Sequence, residues 1–286
     1  MRRAMAYLSL VLLLSSCSWS HRVSPRGFEE RAREVAERWQ GSADDQAWRD
    51  GFVPLEVMNP RGWARVRRVP AWVNRSAHNG VWRLAAPLPA GSPAHAGVRW
   101  PDGSLSQVPL ITAASAYATF SKPADLIEEE CPADGCRPLL VTGAELGEVP
   151  LKTSRGTIRV PAWLFTVKGV EQKYVHVAVA PSAVTARPER LPGGIEEVTS
   201  FDLVPDRPHE LLLQYGYGAC DSIHGARAYE SDHLVVVDVD EEGSGGVCPA
   251  ILKTATITVT LARPLGDRLV LDSGTGVPVV RGLTRR

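Results

Sequence analysis

Lysine is nearly missing from this chain of 286 residues, occurring only at 122, 152, 168, 173 and 253, so the 32 basic side chains are overwhelmingly arginine and are balanced by 32 acidic ones. A formal charge of zero supplies no concentrated basic patch to displace counterions, which excludes nucleic acid as the default partner. No apolar run reaches the ~20 residues needed to cross a bilayer as a permanent helix. The seven histidines are dispersed, without His-x-x-x-His or His-x-His spacing, and no Cys-x-x-Cys pair occurs, so neither zinc catalysis nor thiol redox chemistry has its motif. No Gly-x-Ser-x-Gly elbow presents a nucleophilic serine. Gly243-Ser244-Gly245-Gly246 and Ser273-Gly274-Thr275-Gly276 read as turns in a β context and lack the strand-to-helix setting of a phosphate loop. No catalytic residue, metal or cofactor is assigned, and the chain reads as a binding protein rather than an enzyme.

At the amino terminus, Met1, Arg2 and Arg3 lead into an apolar run from Ala4 to Leu14, followed by Ser15-Ser16-Cys17. Two arginines before an apolar stretch of this length form an export signal. The small Ser15 and Ser16 before Cys17 resemble the lipobox of bacterial lipoproteins, in which the cysteine thiol is lipidated, the signal removed and the new amino terminus often acylated, for instance by palmitate. The resemblance implies that residues 1–16 are a signal peptide and that Cys17 anchors the protein at the extracytoplasmic face of the cell membrane. Two or three acyl chains hold a protein there stably, where one does not. Losing Arg2 and Arg3 from the 32 basic residues leaves 30 against 32 acidic ones, a formal balance of −2.

Four further cysteines, Cys131, Cys136, Cys220 and Cys248, read as disulfide-bonded in an exported chain, because no cytosolic reductant protects them. Of the three possible pairings, Cys131 with Cys136 and Cys220 with Cys248 is favoured, since each pair falls inside one proposed domain. Pro132-Ala133-Asp134-Gly135 supplies turn residues for the first loop.

A tether at 17–27 leads to a helical pattern: Phe28, Ala32, Val35 and Trp39 recur at three- and four-residue steps up to Gly41. Ser42 and Asp45 resemble a capping box opening a second helix that stops at Gly51. Short strands then alternate with turn signals at Asn79-Gly80, Pro101-Asp102-Gly103 and Thr153-Ser154-Arg155-Gly156, with an Ala-rich helical stretch inside 111–120. In 175–179, valines alternate with His176 and Ala178 as in a half-buried strand. The predicted fold is α+β and β-rich: an α+β domain at 28–180, a Pro- and Arg-rich linker at 181–194, and an immunoglobulin-like β-sandwich at 195–286. Seven short strands are expected in the last, at 198–203, 210–215, 226–230, 234–240, 254–261, 268–271 and 277–280. It contains no Trp, so it is not an antibody-type domain.

Arg68-Val69-Pro70-Ala71-Trp72 recurs as Arg159-Val160-Pro161-Ala162-Trp163, each preceded by Val-Pro-Leu and Arg-Gly, which suggests a duplicated β-hairpin unit. The second copy, with Val177-Ala178-Val179-Ala180-Pro181-Ser182, Tyr217-Gly218-Ala219-Cys220-Asp221 and Pro264-Leu265-Gly266-Asp267-Arg268, resembles secreted lipoproteins of unknown function from actinobacteria, Streptomyces-like in their arginine-rich composition. The resemblance covers most of the chain after about Trp39. It implies location and architecture, and no activity.

Three local groups could carry chemistry. Asp221, Ser222 and His224 are triad-type residues, but adjacency in sequence does not make side chains converge, and a loop beside a disulfide is expected. Asp232, Asp238, Asp240, Glu241 and Glu242 read as a solvated strand end rather than a calcium site, since no Asp-x-Asp-x-Asp-Gly loop is present. The eight tryptophans all precede the linker. Most are expected in a core, with Trp72 and Trp163 the candidates for a surface that binds a protein or a cell-wall polymer. The expected function is a non-catalytic, membrane-anchored envelope lipoprotein; the alternatives are an envelope hydrolase with dispersed catalytic residues and a structural subunit of an envelope complex.

Overall fold

The computed structural model describes residues 22–59, 62–63, 69–91, 93–125, 130–244 and 246–282. The signal at 1–16, Cys17 and Trp19 lie outside them. The chain divides into two compact units, one formed by residues 41–189 and the other by both ends of the chain, up to Gln40 and from Arg190. The second boundary falls inside the expected linker. The first differs from the expected domain starting at 28: helix α1 (Pro25–Trp39) belongs with the carboxy-terminal strands, because it packs on them through Phe28, Ala32, Val35 and Ala36.

In the unit formed by 41–189, helix α2 (Ala43–Asp50) starts where Ser42 Oγ accepts from Asp45 N at 3.1 Å and ends at Gly51, as the capping pattern predicts. The sheet has the order β1 (Gly62–Trp63), β7 (Tyr174–Val177), β6 (Gly156–Val167), β5 (Leu139–Thr153) and β2 (Trp82–Leu84). All neighbours are antiparallel except β2 with β5. The long β5–β6 hairpin turns at Ser154-Arg155, with Gly156 at φ 110° in the left-handed half of backbone space, where a side chain is strained. A separate hairpin pairs β3 (His95–Arg99) with β4 (Leu105–Pro109) through the predicted turn at 101–103. Helices α3 (Ala71–His78) and α4 (Ala113–Phe120) pack Val73, Ala77, Ala116 and Phe120 on one core with Trp82, Phe165 and Tyr174. A second core joins Phe52, Trp100 and Val108 to Leu151, Ile158 and Val177.

The repeated pentapeptide does not mark a repeated structure. Pro70 precedes α3, so Ala71-Trp72 open a helix, whereas 159–163 lie inside strand β6, paired throughout with β5 and, at Ala162 and Trp163, with β7 as well. The next residues of each copy make the difference: Val-Asn-Arg-Ser-Ala in one, the aromatic and β-branched Leu-Phe-Thr-Val in the other.

In the other unit strands form at six of the seven expected places, while of 277–280 only Val280 lies in a strand and Pro278 makes an isolated bridge with Leu271. A four-stranded sheet has the order β12 (Leu252–Thr260), β9 (Arg207–Gly218), β8 (Val198–Val204), β14 (Val280–Arg281). A three-stranded sheet has the order β10 (Ser222–Glu230), β11 (Leu234–Glu242), β13 (Leu269–Asp272). Both sheets feed one core, with Phe201, Leu211 and Leu213 from the first and Val235, Val237 and Val270 from the second. Two neighbouring pairs, β11 with β13 and β8 with β14, run parallel, which departs from the antiparallel sheets of an immunoglobulin sandwich. Strand β11 is buried on both faces: Val235, Val237 and Val239 enter the core, while Val236, Asp238 and Asp240 alternate with them on the opposite face.

Candidate functional site

The acidic end of β11 is not solvated as the sequence suggests. Asp238 is fully buried and Asp240 is 8% exposed, because α1 packs against β11 and brings Arg31 to Asp238, while Arg22, ahead of the helix, pairs with Asp240. Arg31 Nη2 donates to Ser273 Oγ at 3.0 Å, to Glu197 Oε1 at 3.3 Å and to Asp238 Oδ2 at 3.4 Å. Arg227 donates through Nη2 to Asp238 Oδ2 and through Nη1 to Val23 O, and its guanidinium lies over the Phe28 ring, 5.0 Å from the centroid. Arg22 grips Asp240 with two bonds, at 2.9 and 2.6 Å, which hold that carboxyl below its usual range. Asp272 organises the turn beyond β13. Its Oδ1 accepts from the amides of Glu197 and Val198, and its Oδ2 from the Thr275 amide and hydroxyl.

Burial, and then a hydrogen bond with Asp238, pushes the Glu197 carboxyl up to about 9. The Asp238 and Asp240 carboxylates face Arg22, Arg31 and Arg227. A cavity of about 180 Å³ adjoins, lined by Arg31, Glu34, Val35, Arg38, Leu191 and Gly276. Ser273, the hydroxyl within the network, is fully buried and receives the Arg31 bond, so it is not placed as a nucleophile. This group of residues clamps a helix to a sheet, and no group of acidic, histidine or cysteine residues among the described residues has a metal-binding arrangement.

The triad-type residues do not converge. Asp221 Oδ2 accepts from Gly218 N at 2.6 Å and the carboxyl pairs with Glu241, while His224 Nε2 lies 3.1 Å from Glu242 Oε2 and Ser222 pairs along β10. Burial, and then the bond with Asp221, raises Glu241 to about 7. Both expected disulfides are formed, Cys131 with Cys136 and Cys220 with Cys248, each inside one unit. Such bonds point to an extracytoplasmic compartment.

Of the two tryptophans expected to bind, Trp163 is corrected to the core. It is 2% exposed, and its indole Nε1 donates to Ile111 O at 2.9 Å, so no ligand can stack on it. Trp72 is half-buried on α3, with the Arg137 guanidinium 4.4 Å from its ring centroid covering one face. Trp39, Trp48, Trp82 and Trp100 are buried as well.

A groove of about 390 Å³ that the sequence does not single out opens in the 41–189 unit. Strand alternation builds its floor: Val175 and Val177 point into it while His176 between them turns to the opposite face. Val149 and Leu151 of β5 continue the floor, Trp63 and Met58 form walls, and Val57 at the rim is 73% exposed. Its shape is fixed by side chains that accept from strand amides: Val177 N donates to Asn59 Oδ1 at 2.6 Å and Lys152 N to Glu56 Oε1 at 3.0 Å. Trp63 is held by a 3.2 Å bond from Nε1 to Asn74 Oδ1 and by edge contact with Tyr174. The one signal in the sequence is an aliphatic Val57 close to Trp63, and neither residue belongs to a periodic pattern. No family model, no curated protein and no solved structure matches this chain.

Proposed function

We propose that the protein is an exported lipoprotein, anchored through Cys17 at the extracytoplasmic face of the cell membrane, whose 41–189 unit binds an envelope protein through the groove beside Trp63. Residues 195–282 would serve as an immunoglobulin-like carrier. The observation that carries the binding reading is the groove itself: a preformed, open cleft whose described lining is apolar apart from Glu56. Stacking on sugar rings needs a bare aromatic face. Trp63 stacks on Trp82 and meets Tyr174 edge-on, and Trp72 lies under Arg137, so an apolar protein segment fits better than a wall polymer.

The test is a photo-crosslinking side chain in place of Val57 on the full chain, with Leu84, exposed elsewhere in the unit, as control position. A protein adduct from Val57 that is absent from Leu84 supports the reading. Co-sedimentation with purified wall polymer, without any adduct, favours the polymer instead. Turnover of a wall or peptide substrate, abolished by one point mutation, would show an enzyme. The anchor is checked separately: the intact mass should carry acyl chains on Cys17, and Cys17→Ser should release the protein from membranes.

A further inference from the structure

One end of the unit formed by 22–40 and 190–282 exposes Val247 completely, Leu252 at 73% and Ile251 at 54%. These side chains belong to a braced structure. The disulfide between Cys220 and Cys248 ties the β9–β10 connection to the β11–β12 connection, Ala219 N donates to Ile251 O at 2.9 Å, and Leu252 is in register with Gly218. Tyr217, half-buried, sits in the next register position opposite Lys253, whose ammonium lies 5.9 Å from its ring centroid. Apolar side chains bordered by a tyrosine and a lysine make the composition of a membrane–water boundary. Of the nearby acids, Asp221 is hydrogen-bonded to Glu241, and Glu242 Oε2 lies 3.1 Å from His224 Nε2.

The path of the chain points to the occupant. Arg22 forms an antiparallel bridge with Glu242, the last residue of β11, and its side chain is bonded twice to Asp240. Antiparallel pairing directs the amino-terminal side of Arg22 beyond Glu242, toward the end that carries Val247, Ile251 and Leu252. Cys17 is five residues before Arg22, a reach of no more than about 18 Å even when fully extended. We infer that this end of the unit is a membrane-docking surface, with Val247, Ile251 and Leu252 seated in the interfacial layer of the bilayer that holds the lipid on Cys17. The inference rests on the acylation of Cys17 proposed above. Three aliphatic side chains of this size bind a bilayer weakly alone, and the short tether supplies the high local concentration that makes the contact persistent.

Hydrogen exchange on the full lipidated chain in phosphatidylglycerol–phosphatidylethanolamine vesicles tests it, against the Cys17→Ser chain free in solution. Slower exchange confined to 219–221 and 246–252 on the vesicle is expected. A chain carrying Val247→Ser, Ile251→Ser and Leu252→Ser should lose that protection while remaining bound to the vesicle, and Ile195→Ser, which removes another exposed aliphatic, should leave it intact. Bound chain with unchanged exchange at this end overturns the docking surface and leaves the anchor standing. A mass without acyl chains on Cys17 overturns both. Protection that tracks protein rather than lipid concentration identifies self-association and overturns the membrane as occupant.

Discussion

In residues 41–189, helix α4 meets its sheet through Phe120, whose ring contacts Trp82, Phe165, Tyr174 and His176 at centroid separations of 4.7–6.0 Å. In the other unit, helix α1 meets its sheet through Phe28 and Val35 but also through Arg31, set among Glu197, Asp238 and Ser273. The aromatic contact gains from every Å² removed from water and tolerates small adjustments of angle. The ionic contact gains little net stability, since desolvating the charges offsets most of their attraction, but it is unforgiving of position: any other register leaves buried charge unpaired. One unit is therefore stabilised mainly by area, and the other devotes part of its interior to fixing where a helix sits.

The largest expected effect comes from breaking the polar side of this contrast. Asp272→Ala removes the acceptor of four hydrogen bonds in a buried turn and should cost about 4–5 kcal/mol. Hydrogen exchange resolved by segment should show the loss in 190–282 and not in 41–189. Trp82→Ala should cost about 4 kcal/mol in the aromatic unit, with the near-ultraviolet dichroism of the Trp63–Trp82–Tyr174 group abolished.

The two units should also respond to pH with opposite signs. Burial lowers the His176 imidazole to about 4, so between its unfolded value of 6.5 and 4 the unfolded chain binds the extra proton. The 41–189 unit accordingly loses stability as pH falls through that window, by about 3 kcal/mol. Glu197, raised to about 9 from 4.5, keeps its proton in the folded state where the unfolded chain has lost it. Its unit loses stability as pH rises from 4.5 to 9, and Glu197→Gln should flatten that alkaline arm, as denaturant midpoints across the range would show. The smallest effect sharpens the comparison between the repeated pentapeptides: Trp72→Ala should cost about 1 kcal/mol, chiefly the contact with Arg137, in a urea titration where Trp163→Ala costs several.

Local signals in the sequence are reliable where local physics decides. Ser42 caps α2, Gly51 ends it, Pro101-Asp102-Gly103 and Ser154-Arg155 turn hairpins, and the alternating threonines of 254–260 mark β12. The cysteine pairing is legible because the Pro- and Arg-rich segment separates one pair from the other. What cannot be read depends on partners far along the chain. Nothing near Arg31 announces Asp238, 207 residues on, so the sequence alone puts helix α1 in the wrong unit and the acids of β11 in solvent. Helix α3 is hidden by Val69-Pro70-Ala71-Trp72, which matches the β6 sequence yet begins a helix. The groove escapes because its floor comes from β5 and β7, and its walls from Met58 and Trp63, residues that share no spacing.

The unit built from both ends of the chain has a consequence for biogenesis. A polypeptide emerging amino terminus first presents α1 with its apolar face and Arg31 long before β11 exists to receive them, since strands 234–242 and 269–272 follow the whole of 41–189. Residues 41–189, contiguous in sequence, can condense meanwhile, and Cys131 can find Cys136 before Cys220 has appeared. Consecutive oxidation thus yields the native pairing without reshuffling, while α1 remains a waiting helix whose partner strand is synthesised only after the whole of 41–189.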